Sequence, residues 1–133
     1  MSQTPSYYVN SPVSGTQYYA PMGYGCIPNN GSILTCVVKA WSGPNGTGSL
    51  VSVSSITAYT WDQTSNSAKN SFTFSGGNNA SASTTSFNGT DWAKPSGKYT
   101  GGSIGSLEMY LTYTGQAFIP TGITFTPNQG SGG

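Results

Sequence analysis

The sequence predicts an all-β domain, an antiparallel β-sandwich or jelly-roll of about seven to eight short strands. Three observations carry that expectation. Short alternating apolar segments recur along the chain. Turns rich in Gly, Asn, Pro and Ser separate them. No apolar stripe at i, i+3, i+4 and i+7 runs for three helical turns. A length of 133 residues is one domain's worth. The expected division is a single sandwich over residues 1–127, with 1–25 a candidate N-terminal arm and 128–133 a Gly-rich tail of linker composition.

The elements follow in order. Residues 7–9 and 17–20 are short candidates, the second carrying Tyr18 and Tyr19. Residues 33–41 put Leu34, Cys36, Val38 and Ala40 on one face. Ile33, Val37 and Trp41 lie on the other, broken by Thr35 and Lys39. Apolar groups on both faces predict a central strand, with Trp41 in the core. Residues 50–61 form the next strand, with Val51, Val53, Tyr59 and Trp61 on one side. The segment between reads as a hairpin loop, because Asn45-Gly46 takes positive φ readily. Residues 71–75 are shorter, with Phe72 and Phe74 on one face; residues 76–79 read as a turn, and 84–87 as a weak strand. Residues 107–113 alternate most cleanly. Leu107, Met109, Leu111 and Tyr113 point inward, and Glu108, Tyr110 and Thr112 point outward, with Glu108 solvated. Residues 119–126 repeat the pattern through Ile123 and Phe125, with Pro120 at the edge or start.

Composition excludes several functions. Gly, Ser, Thr and Asn supply 67 of the 133 residues, and Leu, Ile, Val and Phe only 21. The charges are four Lys, two Asp and one Glu, for a net +1, with no Arg and no His. Four scattered Lys do not make the basic patch that nucleic-acid binding requires. A Ser-His-Asp or Cys-His site is impossible without His. No apolar stretch approaches the ~20 residues of a membrane span. A surface kept wet by hydroxyls and amides suits an extracellular, virion or cell-surface position. The opening Met1-Ser2-Gln3 lacks the pattern of a secretory signal, which fits either a mature domain or a leaderless or lytic exit, the second as for a phage or virus surface protein.

Cys26 and Cys36 flank a Pro-Asn-Asn-Gly turn and are expected to form a disulfide, worth roughly 2.5–3 kcal/mol in the chain-entropy account. Two separate buried thiols are the plainer reading. No metal or cofactor is expected. Two Cys without His do not make a zinc site, and Asp62 and Asp91 with backbone carbonyls are a weak case for calcium. Four Asn-x-Ser/Thr sequons, at Asn30, Asn45, Asn79 and Asn88, carry little weight in a chain this rich in Ser and Thr.

Asp62, Asp91 and Glu108 are the only acids, and nothing near them in sequence would raise a carboxyl pKa as glycoside hydrolysis requires, so no catalysis is expected. Two of these acids adjoin Trp: Trp61-Asp62 and Asp91-Trp92. The second pair lies in residues 88–99, read as a loop that also holds Asn88, Lys94 and Tyr99. A sugar offers apolar C–H faces and paired hydroxyls, which suit a flat ring with fixed polar groups beside it. Asn88, Asp91, Trp92, Lys94, Tyr99, Trp61 and Asp62 are therefore the candidate ligand contacts. Against this, Trp92 can cap the core while Asp91 bonds turn amides. The N-terminal tyrosines suit either a binding loop or an interface with a neighbouring protomer. The expected function is a non-catalytic glycan-binding module of lectin or adhesin type, a homo-oligomer whose partner is a glycan or cell-surface polysaccharide. The alternative is a structural, self-assembling subunit of a virion surface or filament.

Overall fold

A computed structural model describes residues 2–62, 65–85, 87 and 92–118. The expected strand at 119–126 and the tail at 128–133 lie outside the described residues. Eleven strands are found among those described: β1 (Ser2–Gln3), β2 (Tyr7–Asn10), β3 (Tyr18–Tyr19), β4 (Ile27–Pro28), β5 (Leu34–Trp41), β6 (Ser55–Asp62), β7 (Ser67–Ser75), β8 (Asn79–Thr84), β9 (Ala93–Thr100), β10 (Ser106–Tyr113) and β11 (Ala117–Phe118). One sheet runs β2-β10-β5-β8, with β1 sharing the β2 border of β10. The other runs β3-β9-β6-β7, and β4 with β11 makes a separate ribbon. All pairings are antiparallel. From β2 to β10 the chain crosses between the layers at almost every step, which is the connectivity of a jelly-roll sandwich.

β5 is central, between β10 and β8, as its two-sided apolar pattern predicts. Its even-numbered residues and the odd-numbered residues of β10 face the other sheet. Leu34, Cys36, Val38, Ala40, Leu107, Met109, Leu111 and Tyr113 meet Ile56, Ala58 and Tyr99 there. The strict period of two that separates these residues in sequence therefore builds the core.

Four expectations change. The segment after β5 is not a β5–β6 hairpin. Trp41 bridges to Leu50, the loop closes on itself from Ser42 to Ser49, and the chain then crosses to the other sheet, so β6 begins only at Ser55. Asn45 (φ 54) and Gly46 (φ 71) do take the left-handed conformation expected of them. Thr84 ends a strand rather than starting one; β8 begins at Asn79, straight after the turn at Gly76, and Thr85 and Phe87 are in no strand. Residues 1–25 are not a separate arm, since β1, β2 and β3 pair with β10 and β9. Finally, Cys26 and Cys36 are free buried thiols rather than a disulfide. Cys36 lies on β5 and points its Sγ at the Ser96 carbonyl, 3.5 Å away, while the Cys26 backbone bridges to Ala93.

Gly97, on β9, faces Val38. A Cβ there would lie 2.5 Å from Val38 Cγ2, so the two sheets approach closely only because this residue has no side chain. Gly97→Ala is expected to cost about 1–3 kcal/mol of unfolding free energy, and Val38→Ala in the same chain should recover part of it; denaturant melts of the single and double variants check both. Burial pushes both thiols up to about 12. A thiol, unlike a thiolate, is a poor nucleophile, so Ellman's reagent at neutral pH should label neither Cys in the native protein and both in guanidinium.

Candidate functional site

The residues singled out around the two Trp-acid pairs divide in the structure. Asn88 and Asp91 lie outside the described residues. The remainder is not a loop, because Ala93–Thr100 is strand β9, paired with β6 along its whole length. Tyr99 is 1% exposed, lies in the core and donates its hydroxyl to the Pro12 carbonyl at 3.0 Å. It presents nothing to a surface ligand. Trp92 is buried.

Trp61 and Lys94 are cross-strand partners on the outer side of their sheet. Lys94 is fully buried, its Nζ 5.7 Å from the Trp61 ring centre and 5.8 Å from that of Tyr19. Tyr19 meets Trp61 edge to face at 4.8 Å. Among the described residues none accepts from the buried Trp61 indole N–H. Asp62 is buried and takes a salt bridge from Lys69 at 3.2 Å and the Ser65 hydroxyl at 2.9 Å. Lys69 reaches it from a β-bulge, where Thr60 pairs with Asn70 but Trp61 with Ala68. Trp61, Asp62, Trp92 and Lys94 are thus built into the fold and present little surface to a ligand.

A different cluster stands on the outer face of the β10–β5 sheet. The alternation that buries Leu107 and Met109 turns Glu108 and Tyr110 outward. The same alternation on β5 turns Trp41, Lys39 and Val37 outward rather than into the core. The register sets Tyr8 and Lys39 directly on either side of Glu108. Trp41 Nε1 donates to Glu108 Oε1 at 2.8 Å, and the Ser6 hydroxyl donates to Oε2 at 2.6 Å. Glu108 is therefore 9% exposed and held, not solvated. Hydrogen bonds to a carboxylate are worth roughly 1.5–3 kcal/mol each and offset its desolvation. Lys39 Nζ lies 5.4 Å from the Tyr110 ring centre. Tyr8, Lys39, Trp41 and Tyr110 are half-buried.

One wall of this platform is the loop after β5. Asn10 donates to Asn45 Oδ1 at 3.0 Å and accepts the Asn45 amide at 2.9 Å. Ser106 accepts the Gly46 amide at 3.0 Å and donates to the Gly43 carbonyl at 2.7 Å. Gly46 rests on the Tyr8 ring so closely that a Cβ would come within 2.5 Å of it. A cleft of about 300 Å³ lined by Ser42, Val51, Ser52, Gly102, Ser103, Ile104 and Gly105 offers hydroxyls but no charged or aromatic side chain, so it lacks a ring face for sugar C–H groups.

Among the described residues no group of three or more His, Cys, Asp or Glu could hold a metal, and no helix is long and apolar enough to cross a membrane. No protein-family model, curated protein or solved structure matches the chain. Fold and site together define a jelly-roll sandwich with a ring-and-carboxylate platform on one sheet face.

Burial lowers Lys94 to about 8, against 10.5 for a free lysine. The unfolded chain then keeps this proton at pH values where the folded chain has released it. The contribution of Lys94 to stability is thus present above pH 10.5 and lost as pH falls through about 8. Lys94→Met is expected to remove that dependence and to raise Tm by roughly 5 °C at neutral pH, read as the difference between wild-type and variant melting curves across this window.

Proposed function

We propose that the chain is a non-catalytic surface module that binds glycans, and that the contact lies on the outer face around Glu108 rather than at residues 88–99. The observation that carries this reading is the Glu108 carboxylate fixed by Trp41 Nε1 and Ser6. Two lone-pair directions per oxygen leave it able to accept from further hydroxyls. Three rings beside it offer apolar faces for sugar C–H groups, and Lys39 adds a donor. The neutral, hydroxyl-rich surface suits an extracellular or virion position and partners that are not strongly charged. A second reading, a structural subunit of a virion surface or filament, is favoured by the long border of β7, with which nothing among the described residues pairs.

A glycan array followed by calorimetry tests the first reading; no binding to any sugar at millimolar concentration overturns it. Glu108→Gln and Tyr110→Ala are expected to weaken binding at least about tenfold, or ~1.4 kcal/mol, with Tm nearly unchanged. Trp92→Ala should instead destabilise the domain by about 3–5 kcal/mol. If Trp92→Ala abolishes binding in a fully folded protein and Glu108→Gln does not, the site lies at residues 88–99 after all.

A further inference from the structure

We infer that this chain forms a two-fold dimer by pairing β7 of one copy with β7 of a second. The inference stands whether or not the sugar reading holds. β7 ends its sheet, and among the described residues nothing pairs with its outer border. All nine of its residues are exposed, including Phe72 at 47% and Phe74 at 49%, whose rings lie 6.3 Å apart on one face. Natural edge strands are normally blunted by proline, charge, shortness or a bulge. β7 has no proline. It has one charge, Lys69, and its bulge sits at the Lys69 end, away from the phenylalanines.

The hydrogen-bond phase of the strand selects the pairing. The Gly76 amide donates to the Ser54 carbonyl at 2.7 Å, one step beyond the Ser55–Ser75 pair. The Thr57 and Thr73 hydroxyls meet at 2.8 Å, as directly opposed side chains do in a pair without backbone bonds. Backbone groups in an antiparallel ladder alternate in direction from residue to residue. Phe72 and Phe74 therefore bond to β6, whereas Ser71, Thr73 and Ser75 turn their amides and carbonyls to the free border. A two-fold axis at Thr73 lets Thr73 pair with its own symmetry copy, and Ser71 with the partner's Ser75. It also sets Phe72 opposite the partner's Phe74, and the reverse, in the closely spaced pairs where ring contact is best. In this register Lys69 faces the partner's Gly77, so like charges do not oppose one another. A net charge of +1 per chain adds little repulsion. Exposed rings, bonding phase and charge placement all fit a second copy of the same strand.

Sedimentation equilibrium of the full chain at micromolar concentrations tests this. The expected result is a dimer that Thr73→Pro converts to a folded monomer, since proline removes an outward amide and leaves the backbone bonds to β6 intact, losing there only the hydroxyl contact with Thr57. Phe72→Lys should weaken the dimer at least tenfold. A wild-type monomer at the highest concentration, or a Thr73→Pro protein that stays folded and dimeric, overturns the inference. If Thr73→Pro fails to fold, the register is read by disulfide trapping. Ser71→Cys mixed with Ser75→Cys should cross-link under mild oxidation faster than Ser71→Cys alone, and equal rates overturn the inference.

Discussion

The antiparallel register between Leu34–Trp41 and Ser106–Tyr113 governs both surfaces of the front sheet. It sets Val38 against Met109 and Cys36 against Leu111 on the inner side, and Lys39 against Glu108 on the outer side. Because side chains alternate strictly, slipping this pair by one residue would send the core outward and bury the ions. With only 21 Leu, Ile, Val and Phe residues in the chain, no spare apolar surface exists to stabilise an alternative. The core and the Glu108 platform are thus two sides of one constraint, and Gly97 lets the second sheet close over it at short range.

Charge is scarce, and much of it is covered. Asp62, Lys94 and Glu108 are all buried, each beside aromatic rings or hydroxyls. The outer sheet faces instead carry cross-strand hydroxyl pairs: Thr35 with Ser83 at 2.9 Å, Ser55 with Thr100 at 2.7 Å, and Thr57 with Thr73 at 2.8 Å. Such pairs do the work that opposite charges do on most sheets. Unlike ion pairs, they are not screened by salt. A surface of this kind is held together by short-range fit rather than by a field, so solution ionic strength has little to act on.

The fold was legible where one periodicity dominated. The β5 and β10 patterns named their inner faces correctly, and the Asn45-Gly46 turn had the backbone it advertised. The site was less legible, for a reason visible at Trp41. Its alternation on β5 placed it with Lys39, away from Leu34 and Val38, yet the apolar groups on both faces of the strand argued for the core. Combining that outward face with the outward Glu108 of β10 required knowing that the two strands are neighbours, which no local pattern states. β9 was missed because Lys94, Pro95, Ser96 and Gly97 lack alternation; their place is set by partners on β6 and by a glycine that must be small. Cys26 and Cys36 were misread because proximity in sequence does not bring side chains together when one belongs to a central strand and the other to a bridge beside β9.

The borders of the sandwich are unequal. On the first sheet, the β1–β2 side is broken at Thr4 and Pro5, where the Thr4 hydroxyl takes the Leu111 amide at 2.9 Å in place of a backbone carbonyl. On the second sheet, the opposite end is only the two residues of β3. The long borders, β7 and β8, follow one another in the chain and lie on the same flank. If β7 pairs with its own copy as inferred above, that self-complementary contact occupies the β7 border in the first encounter. Stoichiometry along this border would then be capped by geometry at two copies.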